Sequence, residues 1–389
     1  MLKGIFKGAH ALVTPRKVLV VFQFTFAISF IICTVVIYKQ LAFGRHRDVG
    51  FDKNNLVFTY NKGDVQRNYI PIRNELLASG AVTAVTRTNS PVIDAWSWED
   101  KYKWKGKDPN LRQLFIKYQT DKAFVQTVGL TLVAGRDIDI DNYPGDSSAT
   151  LINEAAVKVL GFANPLGQFI ETADGKFLKI TGVIKNFISG SPYQPIYPMI
   201  VQGPDHARVW FGAVTFRLNK EHSTSANLAT ITAIFKKYNP DYPFEYHFVD
   251  QSYTERFAGE EMMGTLAALF AGLTIFISCL GLFALATYMA ESRIKEIGIR
   301  KVLGASVSAI TTLLSKDFLK LVIISFFIAA PLAGWLMYNW LQQYPYHVPL
   351  SWWIFAGTGF LSVLIALATV GYRSLKAALA NPVQSLRAE

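Results

Sequence analysis

"TLAALFAGLTIFISCLGLFALATYMA" (residues 265–290) runs directly into "ESRIKEIGIRKVLGAS" (291–306), and this junction decides the fold. Residues 266–289 contain no Asp, Glu, Lys, Arg or His. A helix that crosses a bilayer needs about 20 largely apolar residues. A helix of that length in a water-soluble core would show a polar face. Directly after the run, six charged residues fall within positions 291–301. The run therefore reads as a membrane span and the charged stretch as its exit into water.

Three more stretches pass the same test: 18–37, 321–341 and 352–372. The fold class is thus a membrane protein of four transmembrane α-helices, placed at 18–38, 266–289, 319–341 and 352–372. The first is longer than the ~7–15 residues of a signal-peptide core, and "YKQLAFGR" (38–45) offers no A-x-A-like cleavage site, so it reads as an uncleaved anchor.

Lys and Arg concentrate on the cytoplasmic side of short loops. They occur at Lys3, Lys7, Arg16 and Lys17, through 290–318, and at Arg373, Lys376 and Arg387, but not in 342–351. The N-terminus 1–17, the segment 290–318 and the tail 373–389 are assigned to the cytoplasm. Residues 39–265 and the loop 342–351 are assigned to the outside. The 39–265 region holds 26 Lys/Arg against 24 Asp/Glu, while the rest of the chain holds 13 against 4. The overall charge of +11 is therefore a product of topology. The outer region has no electrostatic footprint for nucleic acid. Cys33 and Cys279, the two cysteines, both lie in spans, so no disulfide framework supports the outer region.

That region reads as α+β. Strand patterns at 55–60, 81–88, 213–219 and 244–250 alternate with helical patterns at 64–79 and 224–239. Two βαβ-like units thus bracket it. They suggest one lobe from about 50–90 plus 210–250, with a second lobe inserted at about 91–209. Within the insert, "AWSWEDKYKWKG" (95–106) alternates like a strand. "SATLINEAAVKVLG" (148–161) reads as a strand entering a helix that Gly161 stops, and Asp174-Gly175 marks a hairpin. From Ser252 a helical pattern continues into the second span without a proline, which predicts one unbroken helix.

Catalytic signals are absent from the sequence. No G-x-x-x-x-G-K-[ST], G-x-S-x-G or H-E-x-x-H occurs, and "GFANPLG" (161–167) has the wrong spacing for a phosphate loop. The six histidines show no ligand spacing. The four apolar runs carry no ionisable residue, which argues against an ion or proton pathway. The tryptophans of 96–104 could stack bases or sugars, but sheet packing with a solvated face is the preferred reading, given the near-neutral charge of the outer region.

The spans do carry packing signals. Gly264, Ala268 and Gly272, and likewise Ser362 and Ala366, follow small-x-x-x-small spacing, which serves either packing within the chain or contact with a second one. Pro331 is expected to kink the third span. Trp335, Tyr338, Trp340, Tyr344, Tyr346, Trp352 and Trp353 form an interfacial belt facing membrane lipids. In the charged segment, Arg293, Glu296 and Arg300 share a helical face, and Glu296–Arg300 is a favourable i,i+4 pair. Glu291, Lys295 and Lys301 add charge, and Gly304 is placed to stop the helix. A plain connector needs neither mixed signs nor the apolar Ile294, Ile297, Ile299, Val302 and Leu303, so the segment is read as a docking helix.

This charged segment resembles the cytoplasmic segment after the second span of FtsX/MacB-like ABC-transporter permeases. "LVVFQFT" (19–25), "VAGRDI" (133–138), "INEAAVKVLGFANPLGQ" (152–168), "ITGVIKNF" (180–187) and "ALANPVQSLRAE" (378–389) resemble the same permeases. The resemblance implies a large periplasmic domain of MacB type between spans one and two, in a bacterial inner membrane. It implies a cytoplasmic ABC ATPase partner, separate or fused, that uses ATP, with no cofactor bound by this chain. Family cargoes include antibiotics, peptides and lipoproteins, and some members instead activate cell-wall hydrolases. Many relatives carry two such halves in one chain. A second permease half or a homodimer partner is therefore expected, with this sequence either a natural half or part of a longer protein.

The reading that follows is a permease subunit, not an enzyme, that transmits ATPase motion across the membrane. Its alternatives are a non-transporting scaffold that controls a cell-wall hydrolase, and a membrane-anchored hydrolase in its own right.

Overall fold

The computed structural model describes residues 6–204, 210–292, 299–300, 303 and 306–379. The chain divides into two compact units: Met1–Phe43 with Ala258–Glu389, and Gly44–Phe257. Helix α1 (Phe6–His46) opens the first unit, and the chain then enters the second.

The second unit begins with β1 (Leu56–Tyr60), α2 (Tyr69–Ala78) and β2 (Val82–Thr88). It continues through β3 (Trp98–Glu99), β4 (Lys103–Trp104), β5 (Phe115–Gln119), α3 (Phe124–Val128), β6 (Leu132–Gly135), β7 (Ala149–Asn153), α4 (Glu154–Leu160), β8 (Phe169–Glu171), β9 (Phe177–Ile184) and β10 (Met199–Gln202). It returns through β11 (Ala213–Leu218), α5 (Thr224–Tyr238), β12 (His247–Phe248) and α6 (Val249–Glu255).

The outer elements of this list form a four-stranded sheet in the order β12-β1-β11-β2, with all neighbours antiparallel. Each βαβ unit leaves a gap that the other fills: β11 lies between β1 and β2, and β1 lies between β11 and β12. This is the ferredoxin-like arrangement. Strand alternation sends Val57, Val85, Val214 and Phe216 to one face, where they meet Ile72 and Leu76 of α2 and Ile231 and Phe235 of α5. Ser223 caps α5 by accepting from Ala226 N at 3.3 Å. Gly80, at φ 69°, supplies the left-handed turn after α2.

The middle elements form an eight-stranded sheet in the order β3-β5-β10-β7-β9-β8-β4, with β6 on β9. Its ends, β3 and β4, are separated in sequence only by residues 100–102. Laid flat, seven strands at ~4.8 Å spacing would put those ends about 29 Å apart. The four Cα steps from Glu99 to Lys103 reach about 14 Å at most. The sheet must therefore curl towards closure. Tyr102, Trp104, Phe115, Ile152, Ile170, Ile180 and Ile200 fill its core. The tryptophan-rich stretch is thus not one strand. It is two two-residue strands that stitch opposite edges of the curled sheet. Its alternation arises because Tyr102 and Trp104 turn inward while Trp96 and Trp98 stay exposed.

The two sheets are fastened together. Thr86 and Thr120 share a hydroxyl hydrogen bond of 2.9 Å, Arg87 Nε lies 3.2 Å from Asp121 Oδ2, and Arg217 donates to Asp52 Oδ2 at 3.0 Å and to Thr127 O at 2.9 Å.

The first unit resumes at α7 (Ala258–Ser292), followed by α8 (Val307–Leu341) and α9 (Trp352–Leu379). The unbroken helix expected from Ser252 does not occur, because the chain turns at Arg256–Phe257 between α6 and α7. The reason is local. Phe257 is buried against Tyr193 and Tyr253, and Arg256 pairs with Asp94. Their backbone amides bond three residues back, to Tyr253 O and Thr254 O, which tightens the turn instead of extending an α-helix.

All four spans lie within helices long and apolar enough to cross a membrane: Pro15–His46, Ala258–Met289, Thr311–Leu341 and Trp352–Gly371. α8 stays helical through Pro331. Along α1 a row at i,i+4 spacing (Val20, Phe24, Ile28, Ile32 and Val36) is buried against α7, α8 and α9. The opposite faces are no less apolar: Phe276 is 62% exposed, Phe327 71% and Phe360 70%. In water such surfaces would be a liability. In hydrocarbon they are the expected exterior, since lipid tails are as apolar as the side chains.

Candidate functional site: the coupling segment, the packing seam and the outer clefts

The charged segment begins where α7 ends. Glu291 is exposed, and Ser292 donates to Met289 O at 3.0 Å. Further on, Ile299 and Arg300 are helical and exposed, and Leu303 N donates to Ile299 O at 3.0 Å, a helical i,i+4 bond. Leu303 is 80% exposed. Ile299 and Leu303 thus present an uncovered apolar pair beside Arg300. Arg293, Lys295, Glu296, Lys301 and Gly304 lie outside the described residues. Ser306 then caps α8, its hydroxyl accepting from Ala309 N at 3.2 Å. On α1, the Arg16 guanidinium sits 4.6 Å from the ring centre of Tyr288 on α7, bracing two helices where the segment begins.

The small residues separate by orientation. Gly264 is buried against α1, and a Cβ there would come within 3.3 Å of Ile37. Ser362 and Ala366 are also buried, with Ser362 Oγ donating to Thr358 O at 2.8 Å. Ala268 is half-buried, whereas Gly272 is exposed and a Cβ there would meet only open space. Sequence reasoning passed over Gly281 and Gly359. A Cβ on Gly281 would lie 2.5 Å from Gln23 Oε1, and one on Gly359 would lie 2.9 Å from the Phe326 ring. Gly359 stands three residues before Ser362, so a search for i,i+3 as well as i,i+4 spacing would have found it.

In the outer unit, the stretches that carried the resemblance turn out to be joints. Asn153 caps α4 by accepting from Ala156 N at 2.9 Å and also donates to Tyr197 O. Glu154 Oε2 accepts from Asn186 N, while Asn186 Oδ1 accepts from Ala155 N. "INEAAV" and "KNF" are therefore two halves of one clasp. In "VAGRDI", Gly135 takes φ 78° at a point where a Cβ would lie 2.2 Å from Thr181 O. Arg136 forks onto Asp146 at 2.5 and 2.8 Å and covers the Tyr143 ring at 3.8 Å. Asp137 accepts from Val125 N and Ile138 N, both at 2.8 Å, and burial pushes its carboxyl up to about 6.

Several clefts open on this unit. One of 510 Å³ is lined by Arg73, Lys122, Asp137 and Asp139. Another, of 390 Å³, sits at the mouth of the curled sheet between Glu99, Lys117, Asp174, Lys176 and Gln202, with the Tyr102 hydroxyl accepting from Gln202 Nε2 at 2.6 Å. A third, of 360 Å³, is walled by Phe58, Tyr60 and His247 and rimmed by Asp94, Ser252, Glu255 and Arg256. Among the described residues no group of His, Cys, Asp and Glu is suited to hold a metal ion.

Comparison with known proteins gives one family match and several structural ones. Residues 268–382 match the model of the FtsX-like permease C-terminal domain. No curated protein matches the chain. Among solved structures, the periplasmic region of MacB from Actinobacillus actinomycetemcomitans aligns at 16% identity and TM-score 0.39, over 54% of this chain and 96% of that one. The extracellular domain of the noncanonic ABC-type transporter YknZ from Gram-positive bacteria aligns at 13% identity and TM-score 0.34, over 49% and 97%. A domain of a permease-type protein from Porphyromonas gingivalis aligns at 16% identity and TM-score 0.34, over 51% and 90%. The part of the chain that runs from α7 through α9 is thus similar to the C-terminal domain of FtsX-like permeases.

Proposed function

We propose that the chain is the permease subunit of an ABC transporter in a bacterial inner membrane, with residues 39–265 in the periplasm and a separate cytoplasmic ATPase as its motor. The observation that carries the reading is the FtsX-like permease match over residues 268–382, which includes the charged segment. Two sequence features support it. These 389 residues carry no phosphate loop, so in this reading the energy comes from an ATPase outside them, and the apolar runs carry no Asp, Glu, Lys, Arg or His to drive transport alone. ATP is used by the partner, and this chain binds no cofactor. On the family resemblance, the motion exports or extracts antibiotics, peptides or lipoproteins, and the assembly includes a second permease half or a second copy.

The segment 291–304 is where the ATPase docks in this reading. It joins two spans directly and pairs mixed charges with the exposed Ile299 and Leu303. The test is the double reversal Glu296→Arg with Arg300→Glu. It keeps the mutual i,i+4 pair but inverts the charges a partner meets. The expected result is normal insertion with loss of ATPase co-purification and of function. A doubly reversed protein that still binds its ATPase and works would reduce the segment to a positive-inside connector.

A further inference from the structure

The outer unit carries a run of aromatic rings that no folding role accounts for. Phe58 and Tyr60 alternate away from the α2/α5 face of the four-stranded sheet. His247 on β12 stacks over Phe58, with ring centres 5.2 Å apart. Trp96 stacks on Tyr60 at 6.0 Å and 16°, and Trp210 follows Trp96 at 6.0 Å and 32°. The run rises from a buried base to a wet end: Phe58 is buried, Trp96 is 45% exposed and Trp210 is 60% exposed. Leaving two indoles in water forfeits the largest apolar contribution any side chain can make to a core.

The backbone is shaped to hold them there. A Cβ on Gly212 would lie 2.7 Å from Trp96 Cζ3 and 2.9 Å from Trp210 Cη2. Both indoles therefore rest directly on a residue that has no side chain. Beside them lies the 360 Å³ cleft that shares Tyr60 as a wall. Its rim is polar: Arg256 Nη2 donates to Asp94 Oδ1 at 2.5 Å, Arg256 Nε is buried without a partner, and Ser252 and Glu255 stand alongside.

We propose that this aromatic run and its cleft form a binding site for a neutral saccharide chain. A pyranose ring has an apolar face of C–H groups and a rim of hydroxyls. It needs a flat ring to lie on and fixed donors and acceptors at the side. The exposed indoles supply the first, and the Asp94–Arg256 pair with Glu255 and Ser252 supplies the second.

The same features argue against other occupants. A cationic ligand needs open ring faces converging within about 6 Å. Here Tyr60, Trp96 and Trp210 follow one another in a row instead of converging on one point, and Asp94 is already paired with Arg256. A polyanion needs a basic groove, whereas the outer region is close to neutral. The site does not depend on the transport reading and would stand if the ATPase partnership failed.

The test uses the full chain in lipid nanodiscs or in a detergent without a sugar head group. Intrinsic tryptophan fluorescence is followed while chitotriose and maltotriose are titrated separately. We expect saturable millimolar or tighter binding of at least one of them, unchanged when salt is raised to about 1 M. Trp96→Ala and Trp210→Ala should each weaken it about tenfold. Trp210→Phe should retain most of it, and Trp98→Ala, whose ring packs edge-on to Tyr197, should leave it unchanged. Circular dichroism of each variant separates loss of binding from loss of fold. No binding of either sugar overturns the proposal. So do salt-sensitive binding, binding of tetramethylammonium in preference to the sugars, and equal binding by the alanine variants. A change of cross-linked oligomer in Trp210→Ala, with no sugar bound, would instead make the run a protein contact.

Discussion

Asp137 shows how strongly the fold can alter a single residue. It stands in an acidic run, "DIDID" (137–141), that invites a reading as a solvated turn. In the structure it caps the first turn of α3 through Val125 N, and burial lifts its carboxyl from the usual 3.8 to about 6. The protonated form is thus favoured by folding. Its stabilising contribution is complete below the unfolded value and is lost as pH rises through about 6. We predict that the outer unit loses stability between pH 4 and 6, by no more than about 3 kcal/mol from this group. Thermal unfolding followed across that range should flatten in Asp137→Asn, and an unchanged pH profile would show that the carboxyl is ionised throughout. Turn residues were easier to read. Gly161 and Gly175 both take positive φ where sequence spacing places a helix stop or a hairpin, because little but glycine fits such a turn without strain. Asp137 was not legible because its burial depends on chain that arrives from elsewhere.

Among the elements, the membrane helices and the strands and helices that bracket the outer unit were legible, whereas α3, β5 and the shortest strands of the insert were not. Four apolar runs announce four membrane helices by length alone. The turn at Arg256–Phe257 carries no proline or glycine signal of its own. It is imposed by Phe257 entering a pocket of Tyr193 and Tyr253, which only the folded unit creates. Strands β3 and β4 escaped for a related reason, since two residues are too few for a period. Packing along the spans gives a prediction at this scale. Ala366 is buried among the membrane helices, whereas Gly272 faces open space. Ala366→Leu should therefore overpack the bundle and lower stability by about 1–3 kcal/mol. Gly272→Leu should leave the isolated subunit's melting point in detergent nearly unchanged. If Gly272→Leu instead abolishes function in the assembled protein, that face meets a second permease half. Equal destabilisation by both substitutions would contradict the packing described here.

For the whole molecule, the charge asymmetry predicts the topology. Ser148, on the outer unit, and Ser292, at the end of α7, are both exposed. In a variant with Cys33 and Cys279 replaced by Ala, Ser148→Cys should label with an impermeant thiol reagent on cells with a permeabilised outer envelope. Ser292→Cys should label only after the inner membrane is opened. Labelling in the reverse pattern would invert the orientation. The fold class and the likeness to FtsX-like permeases over 268–382 were legible in the sequence, because periodicity, charge bias and the segment after span two all point one way. The aromatic site was only half legible. Trp96 was visible, but Tyr60, His247 and Trp210 come from three other places in the chain and meet only when the sheet forms.

The buried Gln40 on α1 donates to Tyr346 O at 3.1 Å and accepts from Val348 N at 2.9 Å, across a separation of more than 300 residues. This amide satisfies both a carbonyl and an N–H in the link between α8 and α9, and that gives it a consequence in time. At roughly 5–20 residues per second, synthesis separates the two ends of the contact by tens of seconds. During that interval the first helix must wait in the bilayer with its inner row of Val20 to Val36 against lipid and its amide unanswered. A hairpin made some 300 residues later is therefore the one that completes α1, and any pause or truncation before residue 346 leaves a membrane anchor that is inserted but not yet assembled.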